Sequence, residues 1–157
     1  MFRLALVLCL LSLGCDAVSL GEAQRLFEVR ALSAPSGYTQ TSGTGETISE
    51  DADDWRPSPI YQTRFFLTFK PHPNPASSTE NIQFAATFSG GSGDLRPFRF
   101  GADGNLVPVG GVTGTTSGSA PLFSFPAGQL GAPGLQRVVL FDRLDRIVTY
   151  GDILVIP

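Results

Sequence analysis

What most constrains this chain is how its apolar residues are spaced: short alternating runs, each cut off by glycine or proline. The clearest covers residues 60–70, where Tyr61, Thr63, Phe65, Leu67 and Phe69 alternate with Gln62, Arg64, Phe66, Thr68 and Lys70. A period of two marks a half-buried strand. The PHPNP that follows should stop it, because each proline fixes φ and lacks a ladder donor. A second run, 81–89, places Ile82, Phe84, Ala86 and Phe88 on one face. Segments 95–100 and 105–109 flank Gly101-Ala102-Asp103-Gly104, whose Asp-Gly pair suits a tight turn. A short strand is expected at 122–125. The chain then closes with 135–141, a turn at Asp142-Arg143-Leu144-Asp145, and strands 146–150 and 153–156 separated by a kink at Gly151. Seven or eight short strands joined by connectors drawn from 18 Gly and 12 Pro predict an all-β, antiparallel sandwich.

Two stretches resist this pattern. Ser19-Leu20-Gly21-Glu22 fits a capping box that would open a short helix. Residues 26–32 alternate as a strand instead, with Phe27, Val29 and Ala31 on one face, and the strand is preferred. Residues 33–59 are polar and rich in Gly, Ser, Thr and Pro, and predict a long loop or a disordered insertion. The expected organisation is therefore 1–14 as an export signal, 15–25 as a tether, and 26–157 as one domain.

Candidate functional residues are few. Glu50, Asp51, Asp53 and Asp54 crowd together in the long loop, and hard cations favour carboxylate oxygen. The cluster lacks the D-x-D-x-D-G spacing and any turn glycine, so a solvated acidic loop is the first expectation and a cation site the second. Trp55, the only tryptophan, follows at once. With Tyr38 and Arg56 it is a candidate partner-facing anchor, since such residues dominate hot spots. The competing placement has Trp55 pinning the loop to the sandwich, and that placement is preferred. His72, the only histidine, stands between prolines with no ligand partner marked, and is expected at a surface turn. Glycines 90–93 lack the strand–loop–helix setting of a phosphate loop and carry no GK[ST]. No Ser-His-Asp, Cys-His or paired-carboxylate pattern is visible, so a non-enzymatic protein with no catalytic residue, bound cofactor or resident metal is expected.

The first fifteen residues, MFRLALVLCLLSLGC, give an address. Arg3 precedes an apolar run of about ten residues, which would span about 15 Å as a helix, half a bilayer core. That suits an export signal rather than a transmembrane helix. The closing Leu11-Ser12-Leu13-Gly14-Cys15 resembles the lipobox of bacterial lipoproteins, with Ser12 where leucine is usual. The resemblance implies cleavage before Cys15 and a diacylglyceryl and N-acyl lipid on it. The competing expectation is an ordinary cleaved signal with Cys15 incidental. In some enteric lipoproteins an Asp after the cysteine means retention at the inner membrane, and Asp16 leans the expectation towards the periplasmic side of that membrane. Cys9 would leave with the signal, so Cys15 would be the only cysteine and no disulfide could form. Loss of residues 1–14 also removes Arg3 and takes the formal charge from −3 to −4. Such a chain lacks the basic excess that nucleic-acid binding requires.

Residues 60–157 resemble an immunoglobulin-like or fibronectin type III-like domain in the order of strand, Pro/Gly-rich corner and closing hairpin. The antibody-type Cys…Trp…Cys signature is absent, and a barrel or jelly roll stays open. The resemblances together lead to two functional expectations. The first is a membrane-anchored, non-catalytic accessory or scaffold lipoprotein that presents a β-sandwich to a larger envelope, transport, respiratory or photosynthetic assembly, with segments 33–59 and 110–120 ordering on the partner. The second is a solitary cell-surface module that binds a ligand or glycan through Tyr38, Trp55, Tyr61 and Phe66.

Overall fold

The computed structural model describes residues 19–88, 95–111, 113–115 and 121–157. The export signal, Cys15, Asp16, the glycine turn at 89–94 and most of the 110–120 connector lie outside the described residues.

The chain opens with a helix, α1 (Leu20–Ala31), where a strand over 26–32 was expected. Two local effects explain the correction. Ser19 caps the helix, its Oγ accepting the Glu22 N–H at 3.2 Å, while Glu22 turns to pair with Arg25. Phe27 and Ala31, four residues apart, are 4% and 0% exposed, whereas Val29, which period two groups with them, is 57% exposed. A four-residue spacing shares a helix face, and that spacing wins. The second half of the expected tether is therefore helical.

Eleven strands follow among the described residues: β1 (Gln40–Thr41), β2 (Thr47–Ser49), β3 (Phe65–His72), β4 (Ala76–Ser77), β5 (Asn81–Phe88), β6 (Arg96–Phe100), β7 (Leu106–Pro108), β8 (Thr113–Thr115), β9 (Leu122–Pro126), β10 (Gly134–Phe141) and β11 (Ile147–Ile156). They make a small β1–β2 hairpin, a five-stranded sheet ordered β4-β11-β10-β6-β7, and a four-stranded sheet ordered β3-β5-β9-β8. The four-stranded sheet is antiparallel throughout. In the five-stranded sheet β4 runs parallel to β11, so that sheet is mixed. Among the described residues the fold is mostly β with one α-helix.

The two larger sheets share one core. Phe65, Ile82, Phe84, Ala86, Phe123 and Phe125 from the four-stranded sheet pack in one cluster with Val138, Leu140, Val148, Ile153 and Val155 from the other. Phe84 stacks on Phe123 with centroids 4.9 Å apart and meets Phe125 edge-on at 6.4 Å. The outer face of the five-stranded sheet is covered by α1. Phe27 and Ala31 lie on Val139, Ile147 and Tyr150 in a second cluster, and the Phe27 and Tyr150 rings are 5.0 Å apart.

Three details of the strands depart from the sequence expectation. Residues 59–61 form a 3-10 turn, so β3 begins at Phe65. A register shift between Leu67 and Phe69 turns Phe69 outward to 49% exposure. β11 runs through Gly151 without the expected break; its irregularity lies earlier, at Val148, the extra residue between the Leu140–Thr149 and Phe141–Ile147 pairs.

Segment 33–59 is a folded part of the domain, not a loose insertion. The side of β11 away from β10 is satisfied by this segment and by Asn74. Ser58 N–H donates to Val148 O and Trp55 N–H to Tyr150 O, both at 2.7 Å. Asp152 N–H donates to Asp54 Oδ1 at 3.0 Å. Asn74 donates from Nδ2 to Asp152 O and accepts the Leu154 N–H on Oδ1, both at 3.0 Å. These bonds are polar and specific, so no hydrophobic period announces them.

Candidate functional site

Charged side chains rarely sit inside a strand unless paired. Arg137 of β10 and Asp152 of β11 do so, facing each other in register on the helix-covered side of the sheet. Their side chains are 3% and 1% exposed. The guanidinium grips the carboxylate in two bonds, Nε to Oδ1 and Nη2 to Oδ2, the latter at 2.8 Å. Nη1 donates to Arg30 O at 2.7 Å, satisfying a carbonyl at the end of α1. The guanidinium carbon also lies 4.7 Å from the centroid of the Tyr150 ring. Burial works against the Arg137 charge, but Asp152 outweighs it and raises its pKa.

Asp54 is a third buried ionisable group beside this pair, 5% exposed. Its Oδ2 accepts the Thr39 N–H at 2.7 Å and its Oδ1 the Asp152 N–H. Burial pushes its carboxyl up to about 7; the two backbone donors pull it back, and the Asp152 charge adds to the rise. Ser36 N–H completes the network, donating to Asp152 Oδ2 at 3.0 Å.

Above this network lies a polar cleft of about 250 Å³, lined by Arg30, Ser33, Asp51, Asp53, Arg137 and Tyr150 among others. Its floor is already committed. Arg137, Asp152 and Asp54 direct their polar atoms to one another or to backbone, and Ser33 Oγ donates to Arg30 O. The Tyr150 hydroxyl is held against ionisation by burial and by the neighbouring Asp53 charge, with Arg56 working the other way. The arrangement joins α1, segment 33–59 and the β10–β11 pair into one unit.

The other candidate residues disperse. The acidic cluster does not converge: Glu50 pairs with Lys70 at 2.5 Å, Asp53 with Arg56 at 3.0 Å and Arg30 at 3.6 Å, Asp51 caps the Asp53 N–H, and Asp54 points inward. Among the described residues no group of three or more His, Cys, Asp or Glu side chains is placed to hold a metal. Trp55 is 4% exposed, so the placement that pins the loop holds and the partner-facing one does not. Arg56 is half-buried, 5.9 Å from the Phe27 ring centroid. Tyr38 is half-buried too. Tyr61, counted towards a glycan platform, is 6% exposed with its hydroxyl donating to Asp142 at 2.5 Å. With Trp55 and Tyr61 inside, two of the four platform aromatics are withdrawn. His72 ends β3, half-buried, with Nδ1 2.9 Å from Lys70 O.

Arg137, Asp152 and Asn74 went unremarked in the sequence, although for Arg137 and Asp152 a signal was present. QRVVLF and YGDILV each carry one charge inside an otherwise apolar strand, and opposite charges in two strands of a hairpin mark a buried pair.

The chain matches no family model and no curated protein.

Proposed function

We propose that the protein is a membrane-anchored, non-catalytic accessory lipoprotein, fixed by lipid on Cys15, that presents an immunoglobulin-like β-sandwich to a larger membrane assembly. The strand order supports the finer fold assignment. β3-β5-β9-β8 follows the A-B-E-D order of one immunoglobulin sheet, and β11-β10-β6-β7 follows G-F-C-C′ of the other, with β4 added beside the last strand. The anchor rests on the lipobox resemblance of residues 11–15, and Asp16 inclines the placement to the inner membrane, facing the periplasm.

The observation that carries the presentation half is an asymmetry between the two outer faces. One is roofed by α1. On the other, Phe69 of β3, Ala85 of β5 and Leu122 of β9 form a row in register, with Phe66 beside it. Phe66, Phe69 and Leu122 are 52%, 49% and 37% exposed. Apolar side chains gathered on one sheet face suit a protein partner better than water. Segment 33–59, expected to order on a partner, is held within the domain and lends this reading no support.

The test is gentle detergent extraction of native membranes, sizing on a native gel, and mass spectrometry of the band. A large stoichiometric complex containing a lipidated Cys15 peptide is expected, and Phe66→Ser with Phe69→Ser should release the protein from it. Migration alone, as one chain in its micelle, would overturn the scaffold reading.

A further inference from the structure

Resting on the proposed anchor, we infer that the end of the domain carrying Leu20 and the Asp142–Asp145 turn is its membrane-contacting end, with Leu144 entering the headgroup layer. The geometry begins with α1. Its C-terminal end is fixed by the bond from Arg137 to Arg30 O, and its middle by Phe27 on Tyr150. From Phe27 back to Leu20 the helix rises about 10 Å. From Tyr150 back to Ile147 the strand climbs about the same distance. Leu20 is thereby brought level with the turn between β10 and β11.

Hydrogen bonds tie the two features together. Gln24 Oε1 accepts the Ile60 N–H at 3.3 Å, and the neighbouring Tyr61 hydroxyl donates to Asp142. Arg146 lies 5.4 Å from the Tyr61 ring centroid and pairs with Asp142 at 2.6 Å. Helix start, 3-10 turn and hairpin turn thus form one end of the molecule. From Cys15 to Leu20 a fully extended chain reaches at most about 17 Å. A lipidated Cys15 therefore holds this end within that distance of the bilayer.

The chemistry of the end suits a phospholipid surface. Leu20 and Leu144 are each 60% exposed, the latter at the tip of the turn. Three ion pairs here balance themselves: Arg25 with Glu22, Arg96 with Asp145, Arg146 with Asp142. Arg64 and Arg143 are exposed and have no ion-pair partner among the described residues, which leaves a local positive surplus on a protein whose formal charge, once residues 1–14 and with them Arg3 are lost, is −4. An apolar tip beside an arginine can bury its side chain among acyl chains while the guanidinium stays at the phosphates.

The test uses the full-length lipoprotein in vesicles of phosphatidylcholine with phosphatidylglycerol, with and without brominated acyl chains. Flotation reads the anchor; tryptophan emission reads docking, comparing Leu144→Trp with Ala102→Trp at the opposite turn, above the emission of buried Trp55. Expected is that the Leu144→Trp protein floats and loses most of its added emission to brominated lipid, while Ala102→Trp loses none. If it floats but Leu144→Trp is quenched no more than Ala102→Trp, docking is overturned and the anchor stands. A blue-shifted yet unquenched Leu144→Trp would place a protein on this end, a second copy or another partner, and would also overturn the inference. Failure to float removes the anchor and this inference with it.

Discussion

The indole of Trp55 lies against the backbone of Gly151, so closely that a Cβ added there would come within 2.6 Å of the ring nitrogen. Trp55 reaches that position with φ of 59°, in the left-handed region that a bulky residue seldom occupies. Its N–H donates to the carbonyl of Tyr150, the residue before that glycine. Side chain and backbone of one residue thus clamp segment 33–59 to β11.

Gly151→Ala should therefore destabilise the protein by about 1–3 kcal/mol through overpacking. Trp55→Ala should cost about 3–5 kcal/mol through the cavity it leaves. Urea denaturation of the single and double variants would show the double costing less than the sum, because both act on the same contact. Full additivity would mean that the ring and Gly151 do not constrain each other.

The Arg137–Asp152 pair should respond asymmetrically. Arg137→Met strands a buried carboxylate and should cost about 3–5 kcal/mol, whereas Arg137→Met with Asp152→Leu should recover much of that loss. The same denaturation series, run as a double-mutant cycle, gives the coupling. A double variant no better than the single would place the cost in the lost Arg30 carbonyl bond instead.

Two carboxylates give opposite pH dependences. Asp54, raised by burial to about 7, holds its proton in the folded state between roughly pH 4 and 7, where the unfolded chain has released it. It therefore makes stability fall as pH rises through that window, and Asp54→Asn should flatten the slope there. Thermal melts across the window would detect the change, and an unchanged slope in Asp54→Asn would contradict it.

Asp142 behaves in reverse. Burial works to raise its carboxyl, but bonds from the Tyr61 hydroxyl, the Arg146 N–H and side chain, and the Leu144 N–H outweigh it and hold the group at about 2. Its contribution is present above about pH 4 and is lost as pH falls towards 2. Asp142→Asn should be less stable at neutral pH and lose less on acidification, as monitored by circular dichroism.

Removing the Ser19 cap should cost about 1 kcal/mol, since Ser19→Ala leaves the Glu22 N–H without its acceptor. Amide exchange at Glu22 and Ala23 should quicken while the β10 and β11 amides stay protected. Equal quickening throughout would show that α1 opens only with the whole domain.

The apolar strands were legible because burial on one face leaves a period of two. Ile82, Phe84 and Ala86 all lie where that period puts them, and the Asp103-Gly104 turn closes β6 and β7 as expected, with φ of 77° at Gly104. Helix α1 was misread because Phe27, Val29 and Ala31 satisfy period two while Phe27 and Ala31 alone satisfy a four-residue spacing. In a run that short, the cap was the better guide. Segment 33–59 was illegible for a different reason: its order comes from Thr39, Asp54, Ser58 and Asn74 meeting backbone groups far along the chain. Such bonds depend on where β11 lies and leave no periodic trace. The buried Arg137–Asp152 pair needed one more step, matching the lone charge of one closing strand to that of the next.

The way β11 is completed bears on how molecules of this protein behave towards one another. A strand with a bare row of amides and carbonyls is a template on which a neighbour's strand can grow. Here that row is closed by a carboxylate, a carboxamide and the backbone of a bent segment, which present no continuous strand for a neighbour to extend. Loss of Asp54 or Asn74 would do more than loosen a loop: it would uncover the place from which these molecules could begin to polymerise.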